Sequence, residues 1–203
     1  MTTTKPDPTI RFEHDDFPER LTILEHTPAQ TLVEVDLGPG GRTPMHVHRD
    51  YAEWFEVLSG TLDIELADRT VTLAEGMRFT APAGVPHCFV NSSSERVRFR
   101  VALRDGQPGF LEMQLLLFGL RADGRTDAEG MPSDPRHMAV ALAWSDTAPA
   151  GAGAALLLRA LRSLARLTGE ERRLRERYVT PAESRLAWFT AAEGADAAEG
   201  AGV

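Results

Sequence analysis

The strongest constraint on the fold is how often residues 31–103 break into short β-type segments. Segments at 31–37, 53–58, 61–66, 70–74, 77–81, 87–91 and 96–103 are separated by Gly38 to Gly41, Ser59-Gly60, Glu75-Gly76, Ala83-Gly84 and Asn91 to Ser94. Glycine supplies positive φ, and asparagine and serine bond to nearby backbone, so these separators suit chain reversals. Leu62, Ile64 and Leu66 alternate with Asp63 and Glu65, while Val97, Phe99 and Val101 alternate with Arg96, Arg98 and Arg100. A period of two gives a strand one face for a core and one for water or a specialised purpose. Strands this short and closely spaced leave no room for helical crossovers, so the pattern predicts antiparallel β-structure closed into a sandwich or barrel.

After Asp105 the period lengthens. Residues 110–121 read as a buried helix stopped by Asp123-Gly124, 136–144 as a shorter one, and 154–168 as a third helix ended by Gly169. Arg159, Arg162 and Arg166 lie three and four residues apart on the third, and the acids Glu170, Glu171 and Glu176 interrupt the arginines that follow, which favours a solvated or dimer-facing helix over a nucleic-acid patch. The expected division is an N-terminal arm (1–30), a β-barrel (31–105), a helical extension (106–180) and a flexible tail (181–203). With 203 residues, 42% of them hydrophobic, the chain can build one real core and a smaller appendage.

Charge and cysteine content narrow the function. A formal charge of -8 repels a phosphate backbone, so nucleic acid is not an expected partner. No apolar run approaches the roughly 20 residues of a membrane span, and the polar amino terminus has no signal-peptide core. Cys88 is the single cysteine, which leaves no intramolecular disulfide to form and points to a reducing, cytoplasmic setting.

The chemistry-bearing set is His46, His48, Glu53 and His87. One residue separates His46 from His48, so in a strand both imidazoles point to the same face. Glu53 opens the next segment, and a short turn brings its carboxylate beside them. His87 starts another segment after Pro82, Gly84 and Pro86, and becomes a neighbour when the strands curl together. Three imidazoles and a carboxylate suit Fe, Mn, Ni, Co, Zn or Cu and leave open positions for water or substrate. His14, His26 and His137 lack such company and read as surface or hydrogen-bonded side chains.

These residues sit in two spaced frames. The first is Gly40, five residues, His46, one, His48, four, Glu53, six, Gly60; the second is Gly76, five, Pro82, one, Gly84, two, His87, three, Asn91. Both frames match the two conserved motifs of the cupin superfamily, which residues 31–103 strongly resemble. The resemblance implies a jelly-roll β-barrel, mainly β with an α-helical C-terminal extension, often dimeric, with His46, His48, Glu53 and His87 as ligands of one divalent metal, Fe(II) favoured. Gly40 and Gly60 are read as turn residues, Pro82 and Gly84 as the turn that aims His87, and Asn91 as a turn-closing side chain.

Strand parity places Phe55 and Val57 on the side of Glu53, and Phe89 on the side of His87, with Cys88 opposed. Phe55 and Phe89 are thereby the candidate substrate contacts, against plain core packing, and Glu53 the candidate base. Arg98 and Arg100 are expected on the outer face. A thiol-oxidising role is disfavoured, because enzymes of that kind usually lack the carboxylate ligand present here as Glu53. The reading that results is a metal-dependent enzyme acting on a small organic molecule, a dioxygenase before a redox-neutral isomerase or polyketide cyclase. A non-catalytic sensor of a small ligand or metal is the alternative from another class, and a homodimer is the expected assembly.

Overall fold

The computed structural model describes residues 10–13, 18–105, 107–128, 130–150, 152–181 and 189–190. The alternating segments form β1 (Ile10–Phe12), β2 (Glu19–His26), β3 (Gln30–Leu37), β4 (His46–His48), β5 (Glu53–Ser59), β6 (Thr61–Leu66), β7 (Thr70–Ala74), β8 (Arg78–Ala81), β9 (His87–Val90) and β10 (Val97–Arg104). All pair antiparallel. One sheet runs β1-β2-β3-β10-β5-β8. The other runs β11-β4-β9-β6-β7, where β11 is Thr147–Pro149. The inward residues of both sheets, among them Val33, Val35, Leu37, Phe55, Leu62, Ile64, Leu73, Phe99 and Leu103, make one buried core. Each such large side chain contributes about 1.5–3 kcal/mol by leaving water.

The stretch expected as an arm, 1–30, supplies strands to this sheet. Leu21 and Ile23 of β2 are buried, and Leu21 pairs with Val35 and Ile23 with Val33. The outer face of the same sheet carries Arg98, which donates to Glu34 at 2.8 Å, and Arg100, whose Nε lies 3.7 Å from the other Glu34 oxygen. Both arginines thus face away from the barrel interior.

Two turns fix the barrel ends. Gly60 joins β5 to β6 at φ 85°, and a Cβ there would meet the Arg96 carbonyl oxygen at 2.9 Å, so both the dihedral and the space demand glycine. Buried Asn91 closes the turn after β9: its Nδ2 donates to the carbonyls of Leu37 at 3.0 Å and Glu95 at 2.8 Å, and its Oδ1 accepts from the Ser93 backbone and hydroxyl. It has no place among the metal-site side chains.

The helices are α1 (Pro108–Ala122), α2 (Pro135–Trp144), α3 (Ala152–Leu167) and α4 (Glu170–Leu174), followed by a π-helical turn at Arg175–Val179. Asp134 caps α2 by accepting from Arg136 N at 2.9 Å, and Pro135 takes the position where a missing N–H costs nothing. Leu116, Leu120, Val140, Ala141, Ala165 and Leu174 form a second cluster between the helices, while Leu111 of α1 reaches into the barrel core. The extension is not purely helical. Between α2 and α3 the chain returns to the barrel as β11 and pairs with β4, with Thr147 opposite His48 and Pro149 opposite His46. Most of the expected tail, 181–203, lies outside the described residues; within it β12 (Phe189–Thr190) pairs with β2. Among the described residues no helix is long and apolar enough to cross a membrane.

Candidate metal centre

His46 and His48 project from the same face of β4, as period-two geometry requires, and β4 pairs with β9 so that His46 faces His87 across the ladder. Glu53 begins β5 in the opposing sheet. Gly84, at φ 79°, donates its N–H to the His48 carbonyl at 2.7 Å and so ties the turn that delivers His87 to the strand that carries the other two imidazoles. One ligand atom from each of His46, His48, Glu53 and His87 lies within 4.8 Å of every other, and the cluster could hold a metal ion. His48, Glu53 and His87 are buried; His46 is partly open.

The second nitrogen of each ring is already engaged. His46 Nδ1 lies 2.8 Å from Pro44 O and His87 Nδ1 2.8 Å from Val85 O. A carbonyl only accepts, so these Nδ1 atoms carry the protons, and in a neutral ring Nε2 keeps its lone pair. His87 Nε2 is 3.1 Å from Glu53 Oε2, and His48 Nε2 is 3.2 Å from Glu53 Oε1. The His48 atom is buried without an aligned hydrogen-bond partner. Lone pairs aimed at a carboxylate repel unless a proton or a cation stands between them. Ligand bonds of about 2.0–2.2 Å meeting near right angles put adjacent donors about 3 Å apart, so these separations fit a shared metal ion.

Burial and charge pull these groups in different directions. Burial, only partly offset by the Glu53 carboxylate, pushes His46 down to about 4 from 6.5. For Glu53 burial opposes ionisation, but contacts with His48 and His87 outweigh it and hold the carboxyl below its usual range. Burial likewise lowers His87, yet the bond to Glu53 prevails and its pKa is raised. In the metal-free protein His46 therefore binds fewer protons than the unfolded chain between about pH 6.5 and about 4, so its effect on stability becomes unfavourable as pH falls through that window. Glu53, with a depressed pKa, adds to the acid limb below the unfolded value near 4.3. His87, with a raised pKa, contributes below about 6.5 and loses that contribution as pH rises through its folded value. In chelator-treated protein, His46→Gln is expected to flatten the fall in melting temperature between about pH 6.5 and 4; an unchanged slope would remove His46 as its source.

Phe55 packs edge-on to His87 with ring centroids 6.3 Å apart, and Phe89 in turn packs edge-on to Phe55 and Phe99. Both rings lie on the metal-cluster side of their strands. Cys88 is buried on the opposite side of β9, where Sγ donates to Glu65 at 3.3 Å; burial and Glu65 push the thiol up to about 11. It is neither a ligand nor a ready nucleophile. His26 bonds Thr31, and His137 bonds Glu170 at 3.0 Å, both away from the cluster; His14 lies outside the described residues.

Three supporting residues escaped sequence reasoning. The Tyr51 ring stacks on His48 at 4.3 Å, and its hydroxyl donates to Ser145 O at 3.0 Å. Thr147 Oγ1 lies 3.3 Å from His48 Nδ1, which gives the third imidazole its partner. Asp146, at φ 49°, accepts from the N–H groups of Arg49 and Asp50 at 2.9 Å each and locks β11 onto the loop after His48. Tyr51 lies inside the first spaced frame, where an aromatic between ligands was a usable signal. Thr147 is 99 residues from His48 and nothing in its neighbourhood marks it.

Two antiparallel sheets with three histidines and a glutamate gathered between them define a small β-barrel protein whose cluster could hold a metal ion. Residues 33–103 match the family model described as the cupin domain. The chain is 30% identical over 93 residues to a rhicadhesin receptor of Pisum sativum, covering 43% of each chain. It is 31% identical over 94 residues to a germin-like protein of Morus alba, covering 44% of this chain and 45% of the relative. The chain thus spans less than half the length of these curated relatives. Among solved structures, the polyketide cyclase RemF from Streptomyces resistomycificus is 23% identical, with a TM-score of 0.42 over 52% of this chain and 80% of that one.

Proposed function

We propose that this protein is a metal-dependent enzyme acting on a small organic molecule, and specifically a dioxygenase using Fe(II) bound by His46, His48, Glu53 and His87. The observation that carries the reading is the convergence of three imidazoles, each with its Nδ1 held at 2.8 to 3.3 Å, on one buried carboxylate. A redox-active divalent metal in such a set supplies Lewis acidity toward a chelating substrate and a site for O2. The chain's own residues do the rest. Burial of His48, Glu53 and His87 limits water, and the apolar walls of Phe55 and Phe89 favour the carbon skeleton of a substrate over solvent. Partly open His46 marks the side of approach. Glu53, once loosened from the metal and from the His48 and His87 contacts that hold it ionised, would accept a proton from an acidic substrate hydroxyl.

The test is metal analysis of protein purified without added metal, then anaerobic reconstitution and an oxygen-uptake screen of small chelating substrates. Iron content with substrate-dependent oxygen consumption supports the proposal. Turnover without oxygen overturns it in favour of a redox-neutral isomerase or cyclase, and tight ligand binding without turnover in favour of a sensor.

A further inference from the structure

The C-terminal extension encloses a cleft where β11 meets α2 and α3. Its volume is about 180 Å³, and Leu142 of α2 and Ala155 and Leu158 of α3 give it apolar walls. Arg49, Arg159 and Arg162 line the same cleft. Thr147 lines it too, and its hydroxyl lies 3.3 Å from His48 Nδ1, so the cleft adjoins the metal cluster through one residue. None of His46, His48, Glu53 and His87 lines it.

The charges around the cleft are unequally matched. Arg162 donates to Glu171 at 3.0 Å, yet its Nε–H is buried without an acceptor among the described residues. Arg49 and Arg159 are exposed, and among the described residues neither guanidinium has a hydrogen-bond or ion-pair partner. Asp146 also lines the cleft, but its Oδ2 already accepts from the backbone N–H groups of Arg49 and Asp50 at 2.9 Å each. With Arg162 balanced by Glu171, two guanidinium groups are left facing one carboxylate. In a chain of net charge -8 this is a local reversal of sign, and it draws a single negative charge.

Size and wall chemistry narrow the anion further. An apolar cavity of about 150 Å³ holds one benzene ring, whereas drug-sized ligands occupy about 300 Å³ or more. A cleft of about 180 Å³ therefore takes one ring or a short branched chain together with its charged group. Inorganic phosphate would leave the leucine and alanine walls facing a solvated ion. A carboxylate on an apolar body satisfies both halves, because its two oxygens match the planar fork of a guanidinium and its carbon skeleton displaces water from the walls. We propose that this cleft binds a small organic monocarboxylate, with the carboxylate held by Arg49, Arg159 and the Arg162 Nε–H and the apolar body against Leu142, Ala155 and Leu158.

Titration calorimetry of the full chain with sodium benzoate tests this directly, on protein as purified and again after chelator treatment. Benzoate is expected to bind at one site with and without metal. Arg159→Gln and Arg49→Gln should each weaken binding at least about tenfold by removing a charge-assisted bond. Both positions are exposed, so circular dichroism should be unchanged. Arg172→Gln, which removes the same charge from an exposed position on α4 outside the cleft, should bind as the wild type does. Ala155→Leu, which fills the cleft without altering its charge, should abolish binding. Benzyl alcohol keeps the ring without the charge, inorganic phosphate keeps a charge without the ring, and each should bind at least about tenfold more weakly than benzoate. No binding of benzoate, binding lost with the metal, indifference to Arg159→Gln, or phosphate binding as tightly as benzoate would each overturn the proposal.

Discussion

His48→Ala is expected to lower the affinity of this protein for a divalent metal by roughly two to three orders of magnitude, because a four-ligand site binding with about 10–16 kcal/mol distributes about 2.5–4 kcal/mol to each ligand. The effect is large for a structural reason as well. His48 Nε2 and His87 Nε2 flank the two oxygens of Glu53 at 3.2 and 3.1 Å, so removing one imidazole leaves a buried carboxylate oxygen facing a void. Metal analysis by mass spectrometry and competition against a chromophoric chelator measure the change. His26→Ala is the matched control: His26 is equally buried but bonds Thr31 far from the cluster, and this variant keeps its metal. Full metal content in His48→Ala would refute the ligand assignment, whatever the enzyme's activity proves to be.

That prediction was available from the sequence because ligand placement in a β-barrel is a matter of parity and short-range turns. His46 and His48 share a face by strand geometry alone, and the residues that aim His87 and Glu53, including Gly60 and Gly84, announce themselves through the conformations only glycine adopts readily. The same parity put Phe55 beside His87 and turned Cys88 away. The amino-terminal strands were harder to see. Leu21 and Ile23 alternate with polar residues in β2, but the segment is flanked by acids and histidine, and only pairing with β3 reveals that it completes a sheet. Propensity without a partner strand is weak information. β11 is the extreme case: three residues, one of them proline, carry no periodicity, and their strand character exists only because β4 has an open edge beside them. What the extension contributes to the metal centre is therefore set by tertiary contact alone.

That contribution can be measured. Thr147→Val is expected to weaken metal binding about 10–100-fold, the usual cost of losing the partner of a ligating imidazole. With Nε2 directed at the metal, His48 Nδ1 carries a proton and donates it to Thr147 Oγ1 at 3.3 Å, while the threonine hydroxyl in turn donates to Ser145 O at 3.3 Å. Valine keeps the shape and removes both bonds together with the 2.8 Å contact to the Ser145 hydroxyl, so the ring loses its tautomeric preference and its fixed orientation together. Thr147→Ser restores the oxygen and should restore most of the affinity. A general loosening of the extension would act differently. Tyr51→Phe deletes the hydroxyl that donates to Ser145 O but keeps the ring stacked on His48, so it should cost about 1–2 kcal/mol of stability and leave metal affinity nearly unchanged. If both variants lose stability and affinity in parallel, Thr147 acts only by holding the fold. If Thr147→Val alone loses affinity, the helical extension reaches the metal through one hydroxyl, and a barrel severed from it keeps its ligands but not their aim.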